Sequence, residues 1–241
     1  MCGIAGIINY NNQPVSELIL SQMGQSIAHR GPDASGIFVE SNVGFVHRRL
    51  SILDLSEAGT QPFYSVDGNY VLVFNGEIFN FKEFYPELKA KGYTFSSATD
   101  TEVLLYLLVE YGMEVLSRLN GFFAFAFFDQ KAKEVYLARD RFGVKPLFYT
   151  ETDEKFIFGS EPKAIFHAGV QKILNSEVLT ELLFYRYVSG ESTVFHSVNR
   201  ILPGHYFRIS TQNKYKEVKR WFNLKNEALN HRDIVEPIKW F

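Results

Sequence analysis

Residues 121–129 read GFFAFAFFD, and both faces that this segment would show as a strand are apolar. A strand with one wet face alternates apolar and polar side chains, because successive residues point to opposite sides of the sheet. This one does not. It predicts a strand covered on both faces, held between layers. Downstream, EVYLARD (134–140), PLFYT (146–150) and KFIFGS (155–160) read as further strands of a meander. Upstream, Thr99 and Glu102 have capping-box spacing ahead of VLLYLLVEY, which predicts a helix burying Val103, Leu104, Leu107 and Leu108. NYVLVFNGEI (69–78) reads as a buried strand running into a tight turn at Asn75–Gly76, and a helix follows with Phe81, Phe84, Tyr85 and Leu88 on one face and Gly92 as its stop.

Nearer the N-terminus, Gly3–Ile8 reads as a strand. A helix from Ser16 places Leu20, Met23, Gly24 and Ile27 at i, i+3, i+4, i+7 and stops before Gly31–Pro32. Short strands are expected at Gly36–Val39 and Gly44–Arg49, helices at Pro162–His167 and Ser176–Arg186, and a late hairpin from GHYFRI and KYKEVKRWF. Two groups of strands joined mostly by hairpins, with helices between and after them, predict an α+β layered sandwich rather than a doubly wound parallel sheet.

Apolar residues make up 46% of the 241 and charged residues 22%, ordinary for a globular protein. A net charge of −2 gives no reason to expect nucleic acid as a partner. No apolar run is long enough to span a membrane, and the N-terminus lacks a signal-peptide layout. The single cysteine excludes an internal disulfide, so a cytoplasmic enzyme or binding protein is the expectation.

That cysteine, Cys2, stands directly behind Met1 in MCGIAGI. Removal of Met1 would leave it beside a free α-amine with a pKa of about 7.7–8.0, close to a thiol at about 8.5. The amine can then serve as general base for the thiolate, as in N-terminal threonine hydrolases. The alternative is an inert cysteine in a first strand. An acyl-transfer nucleophile also needs donors aimed at the oxyanion. The Asn75 amide and the Gly76 N–H in FNGE are candidates, unless the pair is an ordinary hairpin turn. In VHRRLSILD, Arg49 can clamp a carboxylate; Arg48 points the other way if the segment is extended, so only one of the two faces a pocket. Asp100, in the first turn of the 101–111 helix, binds an ammonium group or complements the helix dipole. His29 has no second His or Cys at ligand spacing, so a metal site is rejected, and no Gly-rich phosphate loop is present.

Together MCGIAGI, HRGPDASGI, HRRLSILDLSEAGTQPF, VFNGEIFN, TDTEVLLYLL, LNGFFAFAFFD, RDRFGVKPLFY and SEPKAI resemble the class II glutamine amidotransferases, and within them the glutaminase domain of glutamine-dependent asparagine synthetases. The match covers roughly residues 2–170, and LPGHYFRI extends it to about 210. The resemblance implies a four-layer αββα sandwich of two antiparallel sheets, the N-terminal-nucleophile hydrolase fold. It implies Cys2 as nucleophile on the glutamine side-chain amide, and Asn75 and Gly76 as oxyanion hole. Arg49 would hold the α-carboxylate and Asp100 the α-amine, with Leu50, Ile52, Gly76 and Glu77 completing the pocket. Arg30 and Asp33 would support the site rather than touch substrate.

The resemblance implies L-glutamine as substrate and a synthetase domain or subunit as ammonia acceptor, with no cofactor in this chain: ATP and Mg belong to the synthetase portion. That portion should begin with a Ser-Gly-Gly-x-Asp-Ser loop, and this chain has none. Residues 2–190 are therefore expected to form the amidotransferase domain and 191–241 a connector toward a synthetase, either cut at the border or carried by a partner. A homodimer is left open. The Trp221–Phe222 and Trp240–Phe241 pairs are expected either as apolar surface from that interface or packed on the 176–186 helix. Rival readings are a glutamine-binding regulatory module, an ammonia donor to a different acceptor, and a hydrolase of another amide. The combination of FNGE, TDTE and Arg49 argues against the last, since such substrates lack a free amino-acid head.

Overall fold

The computed structural model describes residues 1–51 and 56–230. Its strands pair antiparallel in two six-stranded sheets. The first contains β1 (Gly3–Asn9), β2 (Ala34–Glu40), β3 (Val43–Arg49), β8 (Phe148–Glu151), β9 (Lys155–Gly159) and β10 (Asn199–Arg200), in the order β10-β8-β9-β1-β3-β2. The second contains β4 (Phe63–Tyr64), β5 (Tyr70–Ile78), β6 (Gly121–Asp129), β7 (Glu134–Arg139), β11 (His205–Ser210) and β12 (Lys216–Arg220), in the order β12-β11-β7-β6-β5-β4. Helices α1 (Glu17–Ser26) and α4 (Pro162–His167) cover the first sheet; α2 (Tyr85–Ala90) and α3 (Asp100–Tyr111) cover the second. Two shorter helices follow, α5 (Leu179–Tyr185) and α6 (Leu224–Asn230). The result is an α+β sandwich of four layers, αββα.

β6 shows why the layers form. Ala124, Ala126 and Phe128 enter the core between the sheets, while Phe123, Phe125 and Phe127 enter the core under α2 and α3. Both faces are apolar, and side-chain size alternates: the alanines leave room between the sheets for the rings of Phe38, Phe45 and Phe158. Phe45 meets Phe128 and Phe158 edge-on, with centroids 6.4 and 5.6 Å apart. Burying each such ring contributes about 1.5–3 kcal/mol.

The helices α1 and α3 start where their caps predict. Ser16 Oγ accepts the Ile19 N–H (3.5 Å) and Thr99 Oγ1 the Glu102 N–H (3.3 Å). The Glu102 carboxylate reaches back past the cap, accepting the Ser96 and Ser97 N–H groups at 2.8 and 2.7 Å.

Two expectations are corrected. Asn75–Gly76 is not a turn: β5 runs through it to Ile78, with Asn75 opposite Ala124 and Gly76 opposite Phe123. A nine-residue strand paired along its whole length with β6 overrides the local Asn-Gly turn preference. Trp221 and Phe222 are neither bare surface nor packed on the 176–186 segment. Trp221 stacks on Phe123 at 5.9 Å and donates from Nε1 to the Arg139 carbonyl, while Arg141 lies over both rings. The late hairpin delivers them there, because β11 pairs with β7. The segment from 176 begins as a 3-10 turn before α5, and Leu183 and Phe184 on α5 stay exposed. Ile52, Trp240 and Phe241 lie outside the described residues.

Candidate active site

Strand alternation brings the site together. On β1, Ile4 and Ile8 face the other sheet, and Cys2 continues that set. On β3, Val43 and Phe45 face inward with His47 and Arg49 in the same set, while Val46 faces the helices with Arg48. On β5, Val71 and Val73 face inward and Asn75 follows them. At one end of the sandwich this shared inner face changes from apolar to polar. The pocket there is lined by Cys2, Arg49, Leu50, Asn75, Gly76, Glu77 and Asp100, with about 630 Å³ of space including its mouth.

The Cys2 thiol donates to the Leu50 carbonyl (3.7 Å) and accepts the Leu50 N–H (3.4 Å). Burial pushes this thiol above its ordinary value, opposed by the Leu50 N–H, the chain's N-terminal charge, Arg49 and Lys145. Met1 also lines the pocket. Arg30 Nε holds the Cys2 carbonyl at 3.0 Å while its Nη1 pairs with Glu161 at 3.0 Å; Asp33 accepts the Ser51 N–H at 2.8 Å. His29 pairs with Glu161 as well, at 2.9 Å.

Asn75 is 1% exposed, and neither polar atom of its side chain has a hydrogen-bond partner among the described residues. Buried amides are nearly always hydrogen-bonded, so an orphaned one facing a pocket is arranged for something that enters it. Along the outer edge of β5 the Phe74 N–H donates to Gln61 Oε1 (2.6 Å) and the Ile78 N–H to Asp100 Oδ2 (2.9 Å). Alternation aims the Gly76 N–H at this same edge, between those two. Only glycine fits there: a Cβ at 76 would lie 2.4 Å from the Phe122 carbonyl oxygen.

Arg49 Nη1 donates to the Ser56 carbonyl (2.7 Å) and contacts Thr60 Oγ1 (3.5 Å), and Arg48 turns away to the Gly31 carbonyl. Asp100 is 5% exposed. Burial raises its carboxyl from 3.8 to about 6, with the nearby Glu77 charge adding to the rise. The pocket thus offers a thiol, orphaned amide donors, a guanidinium and a carboxylate.

Sequence reading missed Gly59, Gln61, Thr101 and Lys145, which line the same pocket. Gln61 binds β5 through Phe74 and contacts Thr101 Oγ1 at 3.3 Å. A Cβ at Gly59 would lie 2.6 Å from Arg49 Nη2, so glycine there lets the guanidinium lie flat. All four stand within quoted stretches, but Gln61 and Lys145 sit in loops and Gly59 ends a single 3-10 turn, where no periodicity singles them out.

The glutamine amidotransferase domain family matches residues 1–222, and the chain belongs to that family. It is similar to asparagine synthetase [glutamine-hydrolyzing] 1 of Bacillus subtilis, 41% identical over 214 residues, which cover 87% of this chain and 33% of that protein. Asparagine synthetase [glutamine-hydrolyzing] 2 of the same organism is 39% identical over 252 residues, covering 98% of this chain and 33% of the relative. The chain therefore spans about a third of the length of these curated relatives. The solved glutamine phosphoribosylpyrophosphate amidotransferase of B. subtilis shares the fold, with a TM-score of 0.67 and 20% identity over 92% of this chain and 49% of that one. Among the described residues no helix is long and apolar enough to cross a membrane.

Proposed function

We propose that this chain hydrolyses the side-chain amide of L-glutamine and passes the ammonia to an ATP-dependent synthetase portion that amidates aspartate. The carrying observation is the pocket itself: Cys2, the unpartnered Asn75 amide, Arg49 and Asp100 line one cavity. A free amino acid brings a carboxylate for Arg49 and an ammonium for Asp100, which a peptide-bound glutamine does not. The asparagine synthetase relatives support the acceptor.

In this reading Met1 is removed, which exposes the Cys2 amine and clears the pocket mouth. The amine takes the thiol proton, and the thiolate adds to the side-chain amide carbon, Cδ. Asn75 Nδ2 and the Gly76 N–H receive the oxyanion. The C–N bond then breaks, and ammonia leaves with the proton returned from the amine. Water, deprotonated by the same amine, opens the γ-glutamyl thioester to give glutamate and regenerate the thiol. ATP and magnesium would act in the synthetase portion. A different acceptor served by the same glutaminase is the second reading, since nothing in the pocket contacts the acceptor.

The test is ammonia release from glutamine by wild type and Cys2→Ala, with the N-terminal mass confirming loss of Met1. Release should require Cys2 and a free N-terminus. A processed wild type that releases no ammonia sinks the proposal, and turnover by a chain that retains Met1 sinks the role of the amine.

A further inference from the structure

The thiol pocket holds a second cation. Lys145 lines it from the loop between β7 and β8, half-buried, and its ammonium makes no hydrogen bond or ion pair among the described residues. The loop that presents it is held firmly. Fully buried Asp140 accepts the N–H groups of Phe123 (3.2 Å), Phe142 (3.1 Å), Val144 (3.0 Å) and Lys145 (3.0 Å). Arg139 donates to the carbonyls of Lys145 (2.8 Å), Gly143 (2.6 Å) and Ile201 (2.6 Å). A backbone tied down in this way starts the lysine side chain from one place, which preorganised electrostatics requires.

We propose that Lys145 is the cation that stabilises the Cys2 thiolate as the thiol proton passes to the amine. It is a positioning residue acting through Cys2, and the idea rests on Cys2 being the nucleophile. The charged groups around Cys2 decide the assignment. Arg49 faces it from β3, Lys145 from the loop, and with Met1 removed its own amine lies beside it; Glu77 and Asp100 line the pocket from β5 and α3; Arg30 holds its carbonyl. In the bound state the substrate carboxylate neutralises Arg49, and the substrate ammonium neutralises Asp100. The amine must be uncharged to act as base. Among the described residues lining the pocket, Lys145 is then the positive charge already in place when the proton moves and not neutralised by the substrate. Both Lys145 and Arg49 oppose the rise that burial imposes on the thiol.

The chain has one cysteine, so alkylation by neutral iodoacetamide reports on Cys2 alone. Its rate against pH is measured in processed wild type, Lys145→Met, Lys145→Gln and Lys145→Arg, each checked for folding by circular dichroism. An opposite charge nearby shifts a titration by about one unit or more, and partial exposure reduces this, so the midpoint in Met and Gln variants should rise by about half to one pH unit. Alkylation below the midpoint should slow by roughly three- to tenfold, and Arg should restore it. The acid limb of kcat/KM for glutamine should move with it while KM holds. Superimposed profiles for wild type and Lys145→Met in folded protein overturn the inference, and so does a Gln variant that matches wild type if Met fails to fold. A midpoint that moves in a chain without glutaminase activity keeps the role of Lys145 and refutes the proposed function instead.

Discussion

Asp100→Asn should make the protein more stable and nearly blind to glutamine. Asp100 is buried at the first turn of α3, with Oδ2 on the Ile78 N–H, and its carboxyl sits at about 6 rather than 3.8. The gap, a little over two pH units, corresponds to about 3 kcal/mol of resistance to the charged form. Because the folded value lies above the unfolded one, this cost is fully present above pH 6. It shrinks as pH falls and is gone below about 4. Asn keeps an oxygen for the Ile78 N–H and carries no charge, so the variant should gain about 1–3 kcal/mol at pH 7.5. In a domain of this size that raises Tm by roughly 2–10 °C. At pH 4 the two proteins should melt together. In the proposed function the same change removes the counter-charge for the substrate ammonium, and truncating one partner of a buried ion pair costs about 2–5 kcal/mol, so KM should rise at least about thirtyfold. Thermal melts from pH 4 to 8 beside ammonia-release kinetics read both effects. A variant no more stable than wild type at pH 7.5, or a gain that does not change with pH, refutes the reasoning.

Asn75→Ala should lower kcat by about 10²–10³-fold, the usual effect of losing one oxyanion donor. It should leave Tm unchanged or higher, since the amide has no partner among the described residues; a kcat within threefold of wild type in an ammonia-release assay would remove Asn75 from the oxyanion hole. Gly59→Ala puts a Cβ 2.6 Å from Arg49 Nη2 and 2.9 Å from Thr99 Cγ2, which displaces the guanidinium. KM for glutamine should then rise about tenfold or more with kcat largely kept, an effect comparable to one weakened charge-assisted hydrogen bond. An unchanged KM would show that Arg49 does not hold the substrate.

The layers were legible where the side-chain pattern is local and long. β6 could only be a strand covered on both faces, and the Ser16 and Thr99 caps marked two helix starts. Pairing partners were less legible. The Asn75–Gly76 dipeptide carries a genuine turn signal, and only the ladder to residues 121–129 overrides it. The glycine there reflects the close approach of the Phe122 carbonyl rather than a turn. Trp221 finds Phe123 because β11 adds to β7, a pairing between residues about seventy positions apart that no local pattern encodes. Within the site, the strand residues were readable from chemistry and alternation. Lys145 and Gly59 were not, because their positions depend on loops held by buried groups elsewhere.

The inner face of the sandwich explains why those strand residues meet at one end. Reading along β3, the set passes from Val43 and Phe45 through His47 to Arg49; along β5 it passes from Val71 and Val73 to Asn75. His47 marks the boundary. It is fully buried, Nε2 lies 3.2 Å from the Phe74 carbonyl, and burial lowers its imidazole to about 3, so it stays neutral and joins the two sheets just before Asn75. Beyond it the same low-dielectric wall continues, but its side chains are polar. The thiol is raised, the Asp100 carboxyl is raised, and the Asn75 amide is unsatisfied, all in one pocket. Burial disfavours the charged forms of the thiol and of Asp100 and leaves the Asn75 amide without a partner among the described residues; in the proposed function a free glutamine would supply an ammonium for Asp100 and an oxyanion for Asn75. A fold selected only for stability would extend the valine and phenylalanine face to the rim. This one stops at His47, and under the proposed function the polar face beyond it is kept for the substrate.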